Sequence, residues 1–482
     1  MVHSAATLAS VAALVGTLVG CASPNPATAA DPPSLPLLSF SPGSEVSESN
    51  VIDRWWLYFD DMDLHRRIAD ALEHNQDLHI ASLRLKAARA QFDETVGAER
   101  PMVDANFFSG RSRVSEDTVG IRGAGAQVGS SLRLALTASH ELDLWGRLGA
   151  ATEAARQRLA AQTWARASAE WSLSAQVAET HFAQRSLLRQ LEILAAVRLS
   201  RQRQLDVVQA AVRAGAASEL DLNRSEAELA VAQSNEAALS RRMLAIESSL
   251  AMLTGVPLAT LGGIVDERPS PLDPTRDISA HLPRGELSTL LVKRPDLRRA
   301  EAELAASSAE LSQARAALLP SLRLSGSIGS DVRGLSNMFT GPGFAWMLAS
   351  SLAQPLFDGG RREARVREQT ALSGEASVRY QKAVAAAVLE VREAYLTLEH
   401  VTDAVASEHR RVEALGKAVR LARVGMQAGV LGQIDALDAE RNYLQAQLAE
   451  VDAMRDRLLA HVLVFKALGG GHAAAASEPA NR

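Results

Sequence analysis

Ala214-Gly215-Ala216-Ala217-Ser218-Glu219-Leu220-Asp221 and Ala428-Gly429-Val430-Leu431-Gly432-Gln433-Ile434-Asp435 are two copies of one turn, 214 residues apart. The same offset relates the Gly-Arg at Arg147 to the Gly-Arg at Arg361, and Gly255 to Gly469. From 147 to 215 is 68 residues, as it is from 361 to 429. From 221 to 255 is 34, as it is from 435 to 469. Upstream, Asn75-Gln76-Asp77-Leu78 matches Arg294-Pro295-Asp296-Leu297, and Pro101 matches Pro320, at an offset of 219. The difference of five residues falls between each Pro and the Gly-Arg that follows. An internal repeat decides architecture before any local reading does. Two copies are too few for a solenoid, so they predict a duplicated helical hairpin with a variable insertion in each.

The rest of the chain fits that frame. Its 482 residues are 47% hydrophobic but only 4% aromatic, which is the composition of long helices packed through small side chains. A net charge of −5 with interspersed signs argues against a nucleic-acid partner. The single cysteine, Cys21, excludes an internal disulfide and any Cys-based metal cluster. An apolar run from Leu8 to Val19 precedes it, too short to span a bilayer and suited to a signal-peptide core. Leu18-Val19-Gly20-Cys21 resembles a bacterial lipobox, in which the leader is cut before Cys21 and its thiol carries lipid. The Pro-rich stretch after it reads as a tether.

Beyond the tether, Trp55-Trp56 and Phe59 predict an apolar cluster that pins the next helix, expected over about 62 to 99 and ended by Pro101. The period then changes. Val103, Ala105 and Phe107 alternate with polar residues. From Leu132 to Leu144 every second residue is apolar except His140, while Arg133, Thr137, Ser139, Glu141 and Asp143 take the other face. Leu322, Leu324, Ile328 and Val332, then Phe344, Trp346, Leu348 and Leu352, repeat the pattern in the second copy. Period two with one apolar face predicts four half-buried strands. Each hairpin feeds a helix of about 65 residues, roughly 100 Å long at the α-helical rise. Its distal half carries a seam with coiled-coil spacing: Leu187, Leu191, Leu194, Arg198, Arg201, Leu205, Val208 and Val212 in the first copy. The charged seam positions hint at a wall that faces water on one side. Return helices are expected over about 219–253 and 433–468.

These boundaries divide the chain into a signal peptide (1–20), a lipidated tether (21–54), a first repeat (55–255), an inter-repeat linker (256–290), a second repeat (291–469) and a flexible tail (470–482). No metalloprotease, phosphate-loop, nucleophile-elbow or kinase motif is present, and the histidines form no metal-binding pattern, so no enzyme activity, cofactor or metal is expected. Four strands cannot close a membrane barrel. An open edge in lipid leaves backbone groups unpaired at several kcal/mol each, and the smallest barrels need about eight strands. Strands that span a membrane must therefore be shared between copies: a dimer would give eight, a trimer twelve.

Taken together, the lipobox at Cys21, Trp55-Trp56-x-x-Phe59-x-Asp61, Asn75-x-Asp77-Leu78, Gln354-Pro355-Leu356-Phe357-Asp358-Gly359-Gly360-Arg361 and the paired Ala-Gly turns resemble the trimeric outer-membrane efflux channels (the TolC/OprM type), most closely their lipoprotein branch. The resemblance covers almost the whole mature chain. It implies a mainly α fold with membrane β: long duplicated helical hairpins forming a trimeric α-barrel, plus four strands per chain in a shared twelve-stranded β-barrel. It implies an exit duct in the bacterial outer membrane, lipid-anchored and extending into the periplasm. The expected partners are two further copies, a periplasmic adaptor, an inner-membrane pump of the RND type and outer-membrane lipid. Ala214, Gly215 and Asp221 resemble one adaptor-docking tip, and Ala428 and Gly429 the other. Asp435 and Asp438, three apart on one helical face, match the aspartates that line the family's periplasmic aperture. Each of these features has a purely structural explanation in turn chemistry and helix-dipole stabilisation. A periplasmic adaptor or a lipid-tethered structural coiled coil is the alternative reading.

Overall fold

The computed structural model describes residues 54–114, 127–256 and 293–469. The signal segment, Cys21, nearly all of the tether and linker, and the tail lie outside them. In chain order the elements are a 3-10 turn (Trp55–Phe59), α1 (Met62–His74), α2 (Gln76–Gly97), β1 (Met102–Val114), β2 (Gln127–Leu142), α3 (Arg147–Arg213), α4 (Glu219–Thr254), α5 (Pro295–Ala316), β3 (Ser321–Val332), β4 (Phe344–Ala353), α6 (Arg361–Gln427) and α7 (Gln433–Ala467). The long helices α3 and α6 are 67 residues each, displaced by the same 214 positions as the turns that end them. The chain falls into two compact units; Leu85–Gln162 with Ala300–Gln381 form one, and the helical remainder forms the other. Each unit draws matching segments from both copies of the repeat.

The first unit holds one antiparallel sheet in the order β1-β2-β3-β4. Its register makes the expected alternation continuous across all four strands. Phe107 pairs with Leu134, Leu134 with Ser330, and Ser330 with Phe344. One row deeper, Ala105, Leu136, Ile328 and Trp346 align. Directly opposed residues share a face, so the apolar rows of both copies form one surface. Most of that surface is uncovered: Trp346 is 71% and Leu348 76% exposed, while the β3–β4 connection packs on the Val332 end. The other face is polar, with an Arg133–Asp331 ion pair at 2.7 Å across β2 and β3. At the helix-bearing end, Trp145 Nε1 donates to the Pro320 carbonyl, tying the two hairpins together. Asp143 accepts from the Gly149 amide, and Asp358 from the amides of Gly360 and Arg362, satisfying free N–H groups where α3 and α6 begin.

The second unit is helical, and two motifs close it. The first is the aromatic cluster. Trp55 stacks on Phe465 of α7 at 5.6 Å, and Phe59 lies 5.0 Å from Phe182 of α3. A buried polar group adjoins it: Asp61 caps α1 by accepting from the Asp63 and Leu64 amides, and its other oxygen lies 2.9 Å from His181 Nε2. Burial pushes the fully buried His181 imidazole down, which keeps it neutral with Nε2–H donating. Burial alone would raise the Asp61 carboxyl, but the His181 hydrogen bond, the Leu64 amide and Arg185 outweigh it and hold Asp61 far below the usual carboxylate range.

The second motif corrects the expected helix over 62–99. It is broken at Asn75, which adopts extended backbone (φ −65°, ψ 128°). The Asn75 side chain accepts from the Asp77 and Leu78 amides and donates to the Leu253 carbonyl at 2.9 Å, so it caps α2 and closes α4 at once. Its counterpart Arg294 closes α7 in the second copy, donating to the Ala467 carbonyl at 2.7 Å, while the Leu297 amide at the start of α5 donates to Asp296. Arg294 is 2% exposed and bonded to Asp296 and Glu390. Burial lowers its pKa, and these two carboxylates reverse the shift and raise it. The matched tetrapeptides at 75 and 294 are thus the clasps that join the start of each copy to its end.

Candidate functional site: the two helical tips

Both tips are built alike. α3 ends in a Schellman motif: the Gly215 amide donates to Val212 O and the Ala216 amide to Ala211 O. α6 ends the same way, with Gly429 to Met426 O and Val430 to Gly425 O. Gly215 and Gly429 share φ +70°, the left-handed region glycine occupies without strain. Ala214 and Ala428 are the residues just before those glycines. The Ala-Gly signatures therefore mark helix ends in the structure.

After the turn the copies diverge. Ser218 and Asp221 form a complete capping box: the Asp221 amide donates to Ser218 Oγ at 3.2 Å, and Asp221 Oδ2 accepts from the Ser218 amide at 3.2 Å and its hydroxyl at 2.6 Å. Those bonds from Ser218 hold the Asp221 carboxyl below its ordinary value. In the second tip Gly432 replaces the serine, so only half of the box remains: Asp435 Oδ2 accepts from the Gly432 amide at 3.1 Å. Asp438 is exposed and pairs with Arg441 at 3.0 Å. Its counterpart in the first copy, 214 residues earlier, is Arg224. One tip thus starts its return helix with an Asp/Arg pair, the other with two aspartates. Asp221 and Asp435 lie in a first helical turn, where acid is favoured by about 0.3–1 kcal/mol; Asp435 has one oxygen committed to the backbone, and Asp438 lies one turn further on.

A third feature escaped the sequence. Glu440, on α7 just beyond Asp435 and Asp438, accepts from Arg201 of α3 at 3.1 Å and from Arg423 of α6 at 3.0 Å. The Arg201 side chain is 7% exposed, with Glu228 of α4 a further 3.9 Å away. This seam position faces other helices, not water, and its ion pair fastens the first hairpin to the second. Arg198, by contrast, has a 42% exposed side chain and meets Glu236 of α4 at 2.6 Å, within the first hairpin. Only the oddity of arginine in an apolar seam pointed to them; the partner at 440 is 239 residues away.

Among the described residues no helix is long and apolar enough to cross a membrane, and no cluster of acidic, histidine or cysteine side chains is placed to hold a metal. A sheet whose apolar face is mostly bare and whose β1 and β4 edges are unpaired among the described residues defines a subunit of a membrane channel and not a closed globular domain. The comparisons agree. The sequence profile of the outer membrane efflux proteins matches residues 68–256 and 287–470. Outer membrane protein OprJ of Pseudomonas aeruginosa is 29% identical over 442 residues, 90% of either chain. SilC of Salmonella typhimurium, named a probable outer membrane lipoprotein, is 27% identical, covering 94% of this chain and 96% of SilC. The open-state crystal structure of the MtrE outer membrane channel of Neisseria gonorrhoeae superposes with a TM-score of 0.77 at 30% identity, covering 90% of this chain and 95% of MtrE. The chain belongs to the outer membrane efflux protein family, and both copies of its repeat lie within the match.

Proposed function

We propose that three copies of the chain close a twelve-stranded barrel in the outer membrane and that their paired hairpins form a duct through which small molecules leave the cell. The observation that carries this reading is the sheet. Most of its apolar face is bare, and among the described residues β1 and β4 each leave an edge unpaired. In lipid both edges must be satisfied by neighbouring copies. The count of three follows the trimeric channels that the sequence resembles.

The duct conducts passively and catalyses no reaction; an inner-membrane pump supplies the energy. A periplasmic adaptor docks on the tips at Ala214, Gly215, Asp221, Ala428 and Gly429. Cys21 carries the lipid that supplements the barrel as a membrane anchor. Asp435 and Asp438 from three copies place six carboxylates around one axis, a ring that attracts cations and repels anions. Glu440 is the tie behind that ring: with Arg201 and Arg423 it holds the second hairpin against the first, and adaptor docking shifts the population toward a broken tie.

The test is native mass measurement of the full chain in detergent, followed by planar-bilayer recording. A trimer that conducts ions supports the duct. A delipidated chain that is monomeric and soluble without detergent rejects it.

A further inference from the structure

The apolar face of the sheet is not uniform, and its hairpin end is built differently from its middle. Among the described strand residues that face carries two charged side chains, Arg111 and Arg113, placed there by their even spacing from Phe107. Both are exposed and face Ser130 and Val128 on β2, with no acid on that face of the described strands. The opposite face has both signs: Asp104, Arg133, Glu141, Arg323 and Asp331. Among the described strand residues this is a cationic margin above an apolar field, electrostatically complementary to an anionic head group with acyl chains below it.

The field beneath the arginines is also shaped. The β3–β4 connection folds back onto it. Met338 is 5% exposed, and at Gly343 a Cβ would stand 2.5 Å from Val332 Cγ1, so the loop lies flush against the strand. This leaves an open hollow of about 700 Å³ between loop and sheet, lined by Leu134, Leu136, Ile328, Phe344, Met338 and Phe339. Phe107, which pairs with Leu134 of that lining, is four residues from Arg111, about 13 Å along the strand. One lipid therefore reaches from the arginines to the hollow.

We propose that this end of the sheet is a binding site for a phosphorylated lipid of the outer leaflet. The Arg111 and Arg113 guanidinium groups hold the phosphate, and one acyl chain fills the hollow under Met338 and Phe339. The site rests on the channel reading, because it requires the apolar face to look outward into lipid.

The test uses delipidated full-length protein in detergent, titrated with a diphosphorylated, acylated glucosamine lipid and followed by native mass measurement. Trimer mass and bilayer conductance are recorded on the same preparations. Wild type is expected to bind the lipid about tenfold or more tightly than the dephosphorylated lipid, the size of one lost charge-assisted contact. Arg111→Ser with Arg113→Ser is expected to erase that difference while trimer and conductance persist. Ala105→Trp, which fills the floor of the hollow, is expected to weaken both lipids alike. Inorganic phosphate at millimolar concentration is expected to displace neither. Conducting trimers whose arginine variant keeps the full preference overturn the lipid site alone, as does displacement by free phosphate. A soluble monomer overturns the site and the channel together.

Discussion

The two tips share a backbone and differ in charge. Both end a 67-residue helix in the same Schellman turn with glycine at φ +70°. The first then spends its aspartate on a full capping box with Ser218, and follows it with Arg224. The second drops the serine for Gly432, keeps half the box, and follows Asp435 with Asp438. Behind it, Glu440 gathers Arg201 and Arg423, whereas the repeat-related positions, Glu226, Leu415 and Gln209, form no such group. Duplication supplies the scaffold. Function is to be sought where one copy departs from the other, because packing and turn chemistry alone would have kept the copies alike.

The largest effect expected from breaking this contrast is at Glu440. Glu440→Gln strands Arg201, 7% exposed, without its closest carboxylate. Removing one member of a fully buried pair costs about 3–5 kcal/mol; Glu440 is partly solvated, so about 2 kcal/mol is expected. The repeat-related Glu226→Gln is expected to change stability by less than about 0.5 kcal/mol, since Glu226 is exposed. Denaturant unfolding of the two variants checks the pair, and equal losses would contradict an asymmetric tie. In bilayers Glu440→Gln is also expected to raise open probability. Next comes the cap. Ser218→Ala is expected to cost about 1 kcal/mol, seen as a lower Tm. Gly432→Ser, which restores the missing half of the box in the second tip, is expected to gain only a few tenths of a kcal/mol.

The last prediction concerns a property that neither tip should alter. His181 is held neutral by burial. A depressed folded-state pKa contributes stability that is fully present above the unfolded value of about 6.5 and is lost as pH falls below it. The His181 contribution to Tm, read as the difference from His181→Gln, is therefore expected to be level above that pH and to decline below it, equally in both tip variants.

Much of the architecture was legible because it is periodic or repeated. Alternation at Leu132 to Leu144 and at Leu322 to Val332 fixed strand faces, since period two leaves one register in which all apolar rows coincide. The two Ala-Gly turns fixed four helix ends to within a residue. The break at Asn75 was not legible as a break: the heptad-like apolar spacing runs through it, and only its distant partner, the Leu253 carbonyl, shows why the helix must stop there. The Asp61–His181 contact spans 120 residues and the Arg201–Glu440 contact 239. Such pairs join residue types that are common on any helix surface, so no local pattern singles them out. The arginines at the margin of the sheet were visible as letters, and became a feature only when the register placed both on the apolar face.

The most direct test of an asymmetric mouth is the reversal potential of reconstituted channels in a potassium chloride gradient. Replacing Asp435 and Asp438 together by Asn is expected to reduce the cation-to-anion permeability ratio by about twofold or more, since a carboxylate ring sets that ratio in a narrow pore, while Asp221→Asn leaves it unchanged. Unchanged selectivity in the double variant, or an equal loss from Asp221→Asn, would contradict the account.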